Sequence, residues 1–286
     1  MKITDLPELS AADLALDDVV VVDHDTGNGI ETRRMTVSDL LEGLNASCLF
    51  GLTDTVMISA IKNSRPHGIC LGDTLTTAQG SAIAAGTFEG ICLGDYWLKD
   101  GIHWRVCGFN YWYNRGEPLC RTPHVVIMPD ENLYSTKMAA SDSTDGGYVQ
   151  ATMYKSGLDG AKAKVESVFG AAHILEHEES LTDAASGGTV TSINRYNRKI
   201  ELPSEYMIYG ASIFSGLTNT TNSMFQLSTE QLPLFAVCSA FVLAKDSYWL
   251  RDIGNGSTYA YVDGRGAASI RPASMTCGVR PVFGLM

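Results

Sequence analysis

Residues 248–283 read YWLRDIGNGSTYAYVDGRGAASIRPASMTCGVRPVF, and this stretch limits the possible folds more tightly than any other. Short runs of aromatic and β-branched residues alternate there with clusters of Gly, Asn, Asp and Ser. That pattern predicts a Trp-Leu-Arg strand, a short hairpin and a closing Gly-Val-Arg-Pro strand.

A similar alternation runs upstream. In GDYWLKDGIHWRV (residues 94–106), large apolar and polar residues alternate about Asp100-Gly101. Asp-Gly suits the type I′ turn, which needs positive φ at both central positions, so a hairpin is expected. His124-Val-Val-Ile-Met-Pro129 reads as a core strand, and further strands are expected near residues 199–202, 207–213, 235–243 and 248–251. Helices are expected over 74–85, with Thr74 or Thr76 as cap and Gly86 as stop, and over 157–170, with Ser156 or Asp159 as cap. In the second, Ala161, Val165, Val168 and Phe169 share one side. A third helical piece is expected over 172–185. The hexamer GICLGD occurs at 68–73 and again at 90–95, too little for a solenoid, and reads as two short strands flanking the first helix. Residues 66–286 thus form one α+β domain.

The N-terminal part reads separately. Val19-Val-Val-Val-Asp23 can pair through a Gly/Asn turn with Glu31-Thr-Arg-Arg-Met35, and Thr36 or Ser38 can cap a short helix through Leu44. Residues 1–45 make a small module, and 46–65, with Leu49, Leu52, Val56 and Ile61 at helical spacing, a helical connector.

Composition narrows the function classes. The chain has 286 residues and a formal net charge of -11, the reverse of what a phosphate backbone attracts, so nucleic acid is not an expected partner. No run approaches the roughly 20 apolar residues of a spanning helix, so membrane insertion is not expected. The first 18 residues carry one Lys, five acids and no apolar core, which predicts a protein made without Sec export. Seven cysteines without a C-x-x-C pair give neither a zinc knuckle nor a disulfide framework.

From Gly90 onward the succession GDYW, WRVCGFNYW, HVVIMPD, GGYVQATMY, AHILEHEESL, LPSEYMIYG, QLPLF, SYWLRD, YAYV and GVRPVF resembles the C-type-lectin-like domains at the tips of bacteriophage adhesins, related to the major tropism determinant class. Residues 1–45 are similar to a segment that fixes phage tail and head fibres to the virion. The resemblance implies a virion fibre or adhesin subunit: a homotrimer that binds a virion protein through its N-terminal module and a host surface polysaccharide or protein through its lectin-like domain. Two alternatives stay open, a head-fibre or capsid decoration protein with a structural role, and an enzyme that degrades surface glycan.

Expected contact surface lies in loops rich in Gly, Ser, Thr, Asn and Tyr at 141–148, 215–223 and 252–259, because small polar residues adapt their hydrogen bonds and Tyr adds area at low entropic cost. Asn255, Ser257, Tyr259, Arg265 and Arg271 are the candidate receptor-contact residues. No catalytic residue, metal site or cofactor is read. His173 and His177 lie one helical turn apart in the expected third helix, but Leu175-Glu176 breaks the zinc-protease pattern, leaving a polar helix face. The calcium triplets of true C-type lectins are missing: Glu117-Pro118 is followed by Leu119, and Met128-Pro129-Asp130 lacks the leading Gln. Trp97, Trp104, Trp112 and Trp249 sit in apolar contexts and read mainly as core. Arg251 and Arg280 read as strand braces, with Asp252 or Asp246 as candidate carboxylate partners.

Overall fold

The computed structural model describes residues 19–25, 30–36, 56, 59–60, 63–64, 66–214 and 227–286. The chain divides into two units, Met1–Ile58 and Ser59–Met286. In the first, β1 (Val19–Asp25) and β2 (Ile30–Thr36) form an antiparallel ribbon with Val19 opposite Thr36. This is the hairpin expected from the valine run. The short helix expected after Thr36 and most of the expected connector lie outside the described residues.

The second unit is α+β, with strands predominating. In chain order its strands are β3 (Tyr96–Lys99), β4 (Ile102–Phe109), β5 (Val125–Pro129), β6 (Tyr134–Lys137), β7 (His177–Ser186), β8 (Thr189–Arg198), β9 (Ile200–Glu201), β10 (Tyr248–Ile253), β11 (Thr258–Val262), β12 (Ala268–Pro272), β13 (Thr276–Val279) and β14 (Val282–Leu285). They build one sheet in the order β3-β4-β5-β14-β9, a second in the order β12-β11-β10-β13-β6, and a two-stranded β7-β8 ribbon. The helices are α1 (Thr77–Ala84), α2 (Asp159–Phe169), α3 (Glu205–Tyr209) and α4 (Pro233–Val237).

Local chemistry explains most of these elements. Asp100 and Gly101 both have positive φ, as the β3-β4 turn demands, and Trp97 pairs directly with Trp104 across it. Phe169 from α2 meets both indoles edge-on at 5.7–5.8 Å. Thr76 caps α1 through a reciprocal box with Gln79, whose side chain also accepts from the Trp97 indole at 3.1 Å. The caps expected for α2 do not form. A π turn over Met153–Gly157 leads into the helix, and the Ala161 amide donates to the Tyr134 hydroxyl instead.

Two cores result. The larger lies between the sheets and under α2, and takes Tyr248 and Leu250 from β10 and Ala260 and Val262 from β11. The smaller takes the alternate residues Trp249, Ile253 and Tyr259 and packs them against Leu181 and Val190 of the β7-β8 ribbon. The central strands β10 and β11 of the second sheet are therefore largely buried on both faces. All four tryptophans are fully buried.

Four expectations need correction. Residues 177–186 are strand β7, not helix, preceded only by a short 3-10 turn over Ala171–His173. Strand β8 was not anticipated. The strands expected over 207–213 and 235–243 overlap helices instead, Glu205–Tyr209 and Pro233–Val237: Ser204 caps α3 and Gly210 ends it in the left-handed region, while Pro233 opens α4. The two GICLGD copies form no regular strands, but isolated parallel bridges link Pro66, just before the first copy, to Leu93 and Cys70 to Tyr96, just after the second.

Candidate functional site

Three turns far apart in sequence meet at one end of the second unit. They are the loop 141–148, the Gly187-Gly188 turn of the β7-β8 ribbon, and the turn 254–257 between β10 and β11. The Thr144 amide donates to the Gly256 carbonyl at 3.2 Å and its hydroxyl to the Asn255 carbonyl at 2.9 Å. The Gly146 amide donates to the Ala185 carbonyl at 3.1 Å, and the Gly187 amide to the Asp145 carboxylate at 3.4 Å. Within the third turn Asn255 accepts from the Ser257 amide at 3.0 Å, and Ser257 in turn accepts from the Ala273 amide. Each turn thus holds a neighbour, which fixes backbone that isolated Gly-rich turns leave loose.

Two glycines permit the approach. Gly188 has φ +85°, and a Cβ there would collide with the backbone of Asn255 and Gly256. Gly147 has φ +79°, and a Cβ would stand 2.5 Å from the Thr182 carbonyl oxygen. Outward from these contacts the cluster shows Ser141, Asp142, Asp145, Ser186, Thr189 and Asn255, all exposed and all small and polar.

A network of buried charges underpins the cluster from β7 and β10. Glu179 is fully buried and gives one oxygen to the Trp112 indole at 2.8 Å and the other to Arg251 at 2.8 Å. Burial pushes the Glu179 carboxyl up, but Arg251 and His177 together hold it down at about 2. His177 stacks on Trp112 at 3.7 Å between ring centres. His124 stacks on the same indole; its Nδ1 faces the Thr122 carbonyl at 2.9 Å and its Nε2 accepts the Trp112 amide, an arrangement of neutral imidazole. Burial drives its pKa down to about 3. These groups are turned inward upon one another, and their work is to fix β7 and β10 in place.

Beside the network, Ser180, Thr182, Ser204, Tyr206, Arg251 and Asp252 are among the residues lining a cavity of about 50 Å³, together with apolar residues such as Leu181 and Val190. That is room for a few water molecules, not for a sugar ring. The partly exposed Asp252 accepts from the Glu205 amide at 2.7 Å, and burial together with the Glu205 carboxylate pushes its pKa up. Glu205 itself accepts from the Ile213 and Phe214 amides. The carboxylates here hold backbone.

The five residues singled out in the sequence do not share one patch. Asn255, exposed, and Ser257, half-buried, belong to the turn cluster. Arg271, half-buried, pairs with Tyr259 across β11-β12 and lays its guanidinium 4.4 Å over Tyr261. Arg265 is exposed in the β11-β12 turn, at the opposite end of β11 from Asn255. Tyr259 corrects the expectation outright: it is 1% exposed and its hydroxyl points at the Gly147 carbonyl, so it supports the loop from within. Tyr148 is likewise buried, bonded to Glu201. The tip therefore offers hydrogen-bonding groups where the sequence suggested aromatic area. Residues 215–223 lie outside the described residues.

The expected carboxylate partners of the two arginines also change. Arg251 pairs with Glu179 and not Asp252, while buried Arg280 donates to the carbonyls of Pro129, Val242 and Phe241 and lies 5.0 Å over the Tyr248 ring. His173 ends the 3-10 turn and His177 opens β7, so the two share no helix face. The Thr144 contacts and the ribbon turn were not anticipated; their only sequence signals are the Gly-Gly pairs at 146–147 and 187–188.

Comparison with protein-family models, with curated proteins and with solved structures gives no match to the chain.

Proposed function

We propose that this chain is a bacteriophage fibre or adhesin subunit whose second unit, of C-type-lectin-like type, contacts a host surface receptor through the three-turn cluster. One observation carries the reading: segments 141–148, 186–189 and 254–257 are bonded into a single rigid surface of exposed small polar side chains. A braced scaffold that presents Ser, Thr, Asn and Asp outward suits a ligand rich in hydroxyl and amide groups, such as a surface polysaccharide. In this reading the N-terminal unit attaches the chain to a virion protein and the subunit works as a homotrimer. Its place is the virion.

The test is adsorption. Labelled full-length protein is incubated with host cells and with particles lacking it, and cell binding is measured with and without competing phage. Binding to cells that phage displaces supports the proposal. Binding to particles alone would replace it with the decoration role, and release of reducing sugar from cell-wall glycan would replace it with an enzyme.

A further inference from the structure

We infer that His67, Cys92 and Asp95 form a binding site for one zinc-class divalent cation. The inference is independent of the receptor-binding reading.

The site is assembled by the repeated hexamer. Its second copy ends in the turn Cys92-Leu-Gly-Asp95, closed by the Asp95 amide donating to the Cys92 carbonyl, with Gly94 at φ +84°. Cys92 and Asp95 thus stand at the C-x-x-C spacing of a zinc knuckle, with a carboxylate in the second position. The segment leading into the first copy runs alongside, joined by the Pro66 to Leu93 bridge, and brings His67 over the turn. A ring nitrogen of His67, the Cys92 sulfur and an Asp95 carboxylate oxygen all lie within 4.8 Å of one another. Tetrahedral zinc with bonds of 2.0–2.3 Å spaces its ligand atoms about 3.3–3.6 Å apart, so a closing movement of at most roughly 1.5 Å completes the set.

Asp95 is already arranged as a ligand. It is 1% exposed, and each of its oxygens accepts one backbone amide, Ile69 on one and Cys92 on the other, both at 2.8 Å. A carboxylate has about four acceptor positions, so each oxygen keeps one, and His67 Nδ1 lies 3.1 Å from one oxygen and 3.4 Å from the other. The cation takes the place between them. Backbone partners that orient a ligating carboxylate are the usual outer layer of a metal site. Mixed nitrogen, sulfur and oxygen donors favour zinc over the hard ions calcium and magnesium. His67 is half exposed, which leaves the fourth position open to water. Cys70 and Asp73 of the first copy have the same spacing but are exposed, and among the described residues no histidine joins them in such a group. A bound ion would staple the start of the domain to the β3 approach.

The test titrates the full-length protein with cobalt(II), whose thiolate charge-transfer absorption and tetrahedral bands report sulfur ligation, and then displaces it with zinc. One equivalent bound is expected. Cys92→Ser should lose the charge-transfer band. His67→Ala should weaken binding by at least the roughly tenfold that even outer partners of a ligand contribute. Cys70→Ser should change nothing. Asp95 is left intact because its carboxylate holds two amides. Should Cys92→Ser fail to fold, alkylation of the parent replaces it, with zinc expected to protect Cys92 in the mass-spectrometric map. The inference is overturned by substoichiometric cobalt uptake, by a band that survives Cys92→Ser, or by Cys92 alkylation indifferent to zinc.

Discussion

Glu179 divides its two oxygens between Trp112 and Arg251 deep in the domain, so replacing it with Ala leaves the buried Arg251 guanidinium without its hydrogen-bonded carboxylate. Breaking a buried pair in this way costs about 3–5 kcal/mol, and urea unfolding of Glu179→Ala should show a loss of that order. Because the folded pKa of Glu179 is depressed to about 2, its stabilisation is full above the ordinary value of 4.5 and is lost as pH falls through 2. Asp252 has the opposite sign. Its raised pKa means that its contribution is full below the ordinary value of 3.8 and is lost as pH climbs through the raised one. His124, held neutral, loses stability as pH falls from 6.5 toward about 3 and so offsets Asp252 over part of that range. The difference between variant and parent isolates the carboxyl: Asp252→Asn should gain on the parent at about pH 8 and not at about pH 4.

At the scale of elements, the β7-β8 ribbon matters because its turn carries the other two. Gly188→Ala puts a methyl group against the backbone of residues 255 and 256 at a φ that L side chains resist, at a cost on the order of 2 kcal/mol. Hydrogen exchange should then quicken at the Thr144, Gly146 and Gly187 amides while the β3-β4 hairpin keeps its protection. The same ribbon shows where sequence reasoning stops. The β3-β4 hairpin was legible because Asp100-Gly101 dictates its turn and its aromatics alternate in and out. In β7 the alternation is equally real, with His177, Glu179 and Leu181 buried and Glu178, Ser180 and Thr182 more exposed, but two of the three buried residues are polar. A hydrophobic pattern cannot show a strand whose inward side chains are His and Glu, and Ala172, Leu175, Ala184 and Ala185 bias the stretch toward helix. Conversely, Ser204, Gly210 and Pro233 were legible boundary signals for α3 and α4, outweighed in the reading by the apolar residues between them. The ligand trio escaped because His67 meets Cys92 only through a tertiary bridge.

For the molecule as a whole, both the large core and the flanking ribbon serve one end of the domain. In sheet two β10 and β11 are largely buried on both faces, the buried arginines tie its strands to their neighbours, and the turns that result stand on scaffold and not on one another alone. Under the proposed receptor-binding role, the acidic chain and the small polar tip together would favour a neutral, hydroxyl-rich ligand over an anionic one. At this scale the α+β class and the separate N-terminal hairpin were legible in the sequence. The composition of the exposed turn cluster was not, since Tyr148 and Tyr259 look alike in a loop pattern whether they face water or core.

The most direct test of the account changes the tip without touching its supports. Ser186 and Thr189 are exposed and flank the ribbon turn, so Ser186→Arg with Thr189→Arg should leave the unfolding temperature near that of the parent while labelled protein loses most of its adsorption to host cells. Undiminished adsorption of that variant, in a fold shown to be intact, would contradict the claim that this cluster meets the bacterium.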